Sequence, residues 1–167
     1  RLPTIERIVP VPREALVHVA ACRATSLALC VRGGEASLLA HAEGYRVEST
    51  ARRFPLPRAA CEGDPAALAA ALVPAIVDTV RSAPLDLARD LLGGLLLCVE
   101  AAELRLAAPA MVEALVGALS EGLRAALPAM RCGVRLPLQS PGVHYVERCG
   151  GELAAASGGA ILASLSL

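Results

Sequence analysis

Histidine, cysteine, glutamate and arginine are the residue types in this 167-residue chain that could do chemistry, and their spacing says what kind. His18, His41 and His144 are far apart and never form H-x-x-x-H. A base or metal ligand would need the fold to bring them together, so structural or surface histidines are the simpler reading. Cys22, Cys30, Cys61, Cys98, Cys132 and Cys149 contain no C-x-x-C pair. The usual zinc and redox spacings are therefore missing, and most of these thiols sit in apolar runs as small hydrophobes. That usage implies a reducing compartment. No G-x-S-x-G, P-loop or G-x-G-x-x-G is present. Glu100 and Glu103 could form an acid pair but read as a solvated loop face. Arg46, Arg52, Arg53 and Arg58 form the only basic cluster. Only Tyr45 and Phe54 are interleaved with it, which disfavours nucleic acid and suits an acidic protein surface equally well. No catalytic residue, metal ligand or cofactor-binding residue emerges from these patterns.

Composition sets the scaffold. The chain is 55% hydrophobic with formal net charge zero, which fits one domain over residues 1–167 and gives no global field for nucleic acid or anionic lipid. Aromatics are 2%, so the core must be built from Leu, Val and Ala. All basic charge is arginine, as a GC-rich coding sequence would give. Arg1-Leu2-Pro3 opens without methionine or an apolar leader, and a longer parent protein is expected.

The positioning elements follow from periodicity. Leu2 to Arg13, with three prolines, reads as irregular. Leu16–Val19 reads as a strand, Ala21–Ala24 as a turn and Thr25–Arg32 as a second strand. Gly33-Gly34 is a two-residue hairpin signal. Ala36–His41 and Tyr45–Glu48 complete a four-stranded meander, and Ser49–Gly63 reads as a loop. Asp64-Pro65 is an N-cap with proline at the first helical position, opening a helix to Ser82 that Pro74 should kink or divide. A short helix is expected between Pro84 and Leu92, and Gly93-Gly94 ends it. Leu95–Val99 is a strand covered on both faces. From Pro109, Val112, Leu115, Val116, Leu119 and Leu123 form the stripe of a core helix, closed by Pro128. Gly133–Leu136 reads as a strand, followed by a loop with Pro137 and Pro141. Gly150–Leu167 carries no charge after Glu152 and is too short from Leu153 for the roughly 20 residues of a membrane helix, so a buried helix is expected. The order is meander, helices, strand, helix, strand, helix, an α/β arrangement with a mixed sheet.

Within that last segment, Gly158-Gly159-Ala160-Ile161-Leu162-Ala163-Ser164-Leu165-Ser166 resembles the G-G-S-I-L-A-S-L-S run near the C-terminus of actin and actin-related proteins. Only Ala160 differs within the run, and the preceding tryptophan is absent. Leu85–Leu92 is similar to the actin run I-D-V-R-K-D-L-Y, sharing Asp86, Asp90 and Leu91. Leu95–Leu97 stands where actin has the strand before its S-G-G turn, Pro109–Val112 where it has P-G-I-A, and Val134–Leu136 where it has V-K-I. The meander from Leu16 to Gly44 resembles the hairpin opening the second half of actin. The likeness covers only a C-terminal half, a ribonuclease H-like subdomain 3, with a short loop where the outer subdomain 4 would be inserted.

The resemblance also implies what is lost. Actins cradle nucleotide phosphate with a D-x-G-D-G turn after the first strand of this half. Counted from Leu16, the matching turn is His18-Val19-Ala20-Ala21-Cys22, without acid or glycine. Its residues His18, Ala20 and Cys22 therefore mark a degenerate phosphate turn. Val99–Glu103 replaces the adenosine-side S-G-G turn, also without glycine. The expectation is a pseudo-ATPase with no cofactor and no enzyme activity. It would be a structural or interaction subunit in the cytoplasm, on the cytoskeleton or in the nucleus, with actin, actin-related or cytoskeletal partners and neither nucleic acid nor membrane. The alternative is part of an ATP-dependent enzyme of the actin and sugar-kinase fold whose other half lies outside this chain.

Overall fold

The computed structural model describes residues 11–99, 109–126 and 142–145. Strands β1 (Ser26–Arg32), β2 (Glu35–Ala42) and β3 (Tyr45–Pro55) form an antiparallel meander. The β1–β2 turn needs two left-handed residues, and Gly33 and Gly34 supply φ of 63° and 71°. Helices α2 (Arg58–Cys61), α3 (Pro65–Ser82) and α4 (Ala88–Gly93) then lead to β4 (Leu95–Val99), α5 (Pro109–Ala126) and β5 (Val143–Tyr145). The sheet order is β3-β2-β1-β4-β5, with β1, β4 and β5 parallel. The protein is thus mixed α/β, with a five-stranded mixed sheet.

Central strands β1 and β4 are apolar on both faces because both faces are covered. Leu27, Leu29, Val31, Leu95, Leu97 and Val99 join the large core under α3 and α5. Ala28, Cys30, Leu96 and Cys98 point the other way and meet Val17. Val17 belongs to α1 (Arg13–Ala20), the helix on that second face.

Helix α1 overturns the strand expected at Leu16–Val19. Four residues of alternation cannot separate strand from helix, and Glu14, Ala15, Leu16 and Ala20 are good helix formers. The meander therefore has three strands within the described residues and starts at Ser26. Strand β3 is the second correction, since it continues to Pro55 through residues expected as loop. Its polar character reflects an edge position, where arginine and proline are tolerated. Leu38 pairs with Arg52 but Ala40 with Val47, so β3 bulges. Buried Thr50 repairs the ladder there: its hydroxyl accepts from Ala40 N at 2.9 Å and donates to Val47 O at 2.6 Å.

Asp64 caps α3 as expected, its carboxylate accepting from Ala66 N at 2.9 Å. Pro74 does not divide the helix; it and Ala70 sit on the exposed side, where water can meet the Ala70 carbonyl that Pro74 cannot bond. Strand β5 falls in the segment expected as loop and is too short for a periodic signal. Leu95 N donates to Gly142 O and Gly142 N to Leu92 O, an approach that a side chain on Gly142 would block by meeting the Gly93 carbonyl. Leu115, Leu119 and Leu123 of the α5 stripe are buried, while Val112 and Val116 are half-buried. The Pro128 stop, the Gly133–Leu136 strand and the Gly150–Leu167 helix lie outside the described residues.

Helices α3 and α5 meet closely at Gly122, where an added Cβ would lie 2.8 Å from Val73 Cγ2. Gly117, on the same helix, faces open space. Valine in a helix has one preferred rotamer and yields poorly. In urea unfolding, Gly117→Ala should gain about 0.5–1 kcal/mol from helix propensity, and Gly122→Ala should gain less or lose stability. Equal gains at both positions would contradict this α3–α5 contact.

Candidate functional site

Three buried polar side chains, His18, Ser26 and His41, meet on the α1 face of the sheet. His18, on α1, shares a hydrogen bond of 2.6 Å between Nδ1 and Ser26 Oγ at the start of β1. The His18 ring stacks on His41 of β2, centroids 4.4 Å apart and planes 14° from parallel. The three residues are 5%, 0% and 2% exposed for His18, Ser26 and His41. Neither ring nitrogen of His41 has a hydrogen-bond partner among the described residues.

Sequence spacing gave no reason to pair these histidines, yet one signal was available. A two-residue turn at Gly33-Gly34 sets the hairpin register, which makes Ser26 and His41 directly opposite. Helix α1 then lays His18 over both. Meanwhile His144 is elsewhere, exposed, and meets Arg23 at 2.9 Å.

A serine–histidine hydrogen bond is the form of an activated nucleophile. Here the hydroxyl is fully buried beneath α1, with no room for a substrate, so the pair locks helix to sheet instead. Its electrostatics agree. Burial lowers the His18 pKa. Burial, then His18, then Arg46 across the strand lower that of His41 to about 4, against a smaller opposing effect of Glu14. Both rings are neutral at pH 7.

Cys30 and Cys98 occupy directly paired positions of β1 and β4 on the same face. Their mutual hydrogen bond, followed by burial, raises the Cys30 pKa well above its usual value, keeping a protonated, unreactive thiol. Among the described residues, no group of three or more His, Cys, Asp or Glu side chains could hold a metal ion.

The residues expected as a degenerate phosphate turn are not one loop. His18 and Ala20 belong to α1, and only Cys22 lies in the turn that follows, exposed and with φ of 51°. The turn that does follow the first strand of the sheet is Gly33-Gly34, between Arg32 and Glu35. Beside it, between the N-terminus of α1 and strands β2 and β3, two adjoining clefts of about 350 and 300 Å³ share Pro12, Glu14, Ser37 and Arg53. Arg52 and Arg53 are exposed, as are Arg46 and Arg58. Glu100 and Glu103 lie outside the described residues. No family model matches the chain, and no curated protein matches its sequence.

A buried neutral histidine binds its proton later than an unfolded one. Stability is therefore full above pH 6.5 and falls as pH drops from 6.5, the ordinary value, through about 4. At about 1.4 kcal/mol per pH unit the His41 contribution reaches ~3 kcal/mol. Denaturant titrations across that range should show a steeper loss for the wild type than for His41→Gln. Parallel curves would contradict a buried, neutral His41.

Proposed function

We propose that this chain is a non-catalytic, actin-like protein with a structural or interaction role. Three features support the actin-like fold. After α1, which stands where the resemblance expects a strand, the described elements run meander, helices, strand, helix, strand, an order compatible with it. Strand β4, which corresponds to the strand before actin's adenosine-side turn, pairs in parallel with β1. The ends of both strands thus open on one edge of the sheet, where ligands of α/β sheets bind. The Gly158–Ser166 run carries the sequence likeness.

The observation that carries the non-catalytic reading is the turn after β1. With α1 a helix, we read the family's D-x-G-D-G position at Arg32-Gly33-Gly34-Glu35-Ala36, after the first strand of the sheet. Gly34 keeps the first glycine of the pattern, Gly33 takes its variable position and Ala36 replaces its last glycine. Of the two carboxylates that would organise metal and water there is only Glu35, and Arg32 stands on the other side. A turn so altered can keep its shape while losing the charge needed for Mg-ATP. We accordingly assign no enzyme activity and no cofactor. The partners are protein subunits of an actin, actin-related or cytoskeletal assembly, in the cytoplasm or nucleus.

Titration calorimetry with Mg-ATP tests this reading. The expected result is no saturable heat. Saturable, stoichiometric binding to this chain would overturn it.

A further inference from the structure

We propose that the groove between α1 and strands β2–β3 binds an extended acidic segment of a partner protein. The proposal rests on the interaction role given above and adds its site and the chemistry of its partner. Among the described residues, the two adjoining clefts are bordered by Arg13, Arg32, Arg46, Arg52 and Arg53 against Glu14 and Glu35, with Glu48 paired to Arg46 at the rim. In a chain of formal net charge zero, the described lining carries more positive than negative charge, with Arg46, Arg52 and Arg53 exposed on the edge strand.

The register gives the groove a spacing. Directly opposed residues of an antiparallel pair share a face, and Arg53 lies opposite Ser37 while Arg46 lies opposite His41. Both arginines therefore stand on the α1 face, beyond the part that α1 covers among the described residues. His41 lies four positions beyond Ser37, about 13 Å along an extended strand. An extended ligand repeats its own side chains on one face with the same period, so acidic residues at i and i+4 would meet Arg46 and Arg53 together. Arg46 now pairs with Glu48 at 3.2 Å in an exposed contact, which an incoming carboxylate can replace at little cost. Edge strand β3 is exposed along most of its length, leaving the groove open on its outer side.

Nucleic acid suits the groove less well. Base stacking needs aromatic faces beside the arginines. Phe54 is packed against the core, and Tyr45, opposite Ala42, points to the other face from Arg46.

Fluorescence anisotropy tests the proposal with three labelled probes: an extended peptide with two glutamates four residues apart, its glutamine counterpart, and a single-stranded DNA oligomer. The glutamate peptide should bind at low salt and the glutamine peptide should not. Combining Arg46→Glu with Arg53→Glu should weaken binding by about tenfold or more, as counted from two lost charge contacts. Arg46→Gln with Arg53→Gln should weaken it in the same direction if the reversed pair does not fold. Arg89→Glu, an exposed control on α4, should leave it unchanged. Equal binding of both peptides, no loss in the Arg46/Arg53 variants, or tighter binding of the DNA would each overturn the proposal. Those outcomes leave the calorimetric result with Mg-ATP untouched, so failure of the groove and failure of the non-catalytic reading are separable.

Discussion

Burial of β1 and β4 on both faces is the constraint on which the rest of this structure depends. Leu27 to Val31 and Leu95 to Val99 carry no polar side chain other than thiol. A strand of that composition is stable only when helices cover both sides of it. Helices α3 and α5 supply one cover with their leucine stripes. Helix α1 supplies the other with a smaller apolar footprint, Val17 against Ala28, Cys30, Leu96 and Cys98. The protein's asymmetry follows. One face of the sheet is a dense aliphatic core, and the other is a thin cover flanked by polar groups.

That thin cover explains where the polar chemistry sits. Among the described residues, the short α1 covers only part of β2 and β3, and arginines of the edge strand border the rest. At its other end, α1 is fastened to the sheet by the His18–Ser26 hydrogen bond and the His18–His41 stack. Burying neutral imidazoles costs less than burying charge, and one hydrogen bond plus ring stacking offsets part of that cost. The result holds a helix over the central strands, with the His18–Ser26 pair buried beneath it.

Much of the architecture is legible in the residues themselves. Gly33-Gly34, Asp64-Pro65, Leu95–Val99 and the Leu115, Leu119, Leu123 stripe each carry a local physical cause, and each element forms where that cause lies. Elements that depend on tertiary context are less legible. Leu16–Val19 alternates briefly, but the second face of β1 and β4 needs a helix. Ser49–Pro55 looks like loop because an edge strand tolerates arginine and proline. β5 has three residues and is specified by Gly142 joining Leu92 and Leu95 rather than by periodicity. The histidine cluster failed to appear for the same reason. Its register was implied by the glycine turn, but the third participant was hidden while α1 read as a strand. Arg46, Arg52 and Arg53 are visible in the sequence as a cluster, whereas the face that Arg46 and Arg53 share emerges only from strand pairing.

Native-state hydrogen exchange is the most direct measurement of the central constraint. If β1 and β4 are the doubly covered heart of the fold, amides from Leu27 to Val31 and from Leu95 to Val99 will exchange only by global unfolding, while β3 amides open at lower free energy. Exchange of the β1 and β4 amides as fast as those of β3 would contradict the account.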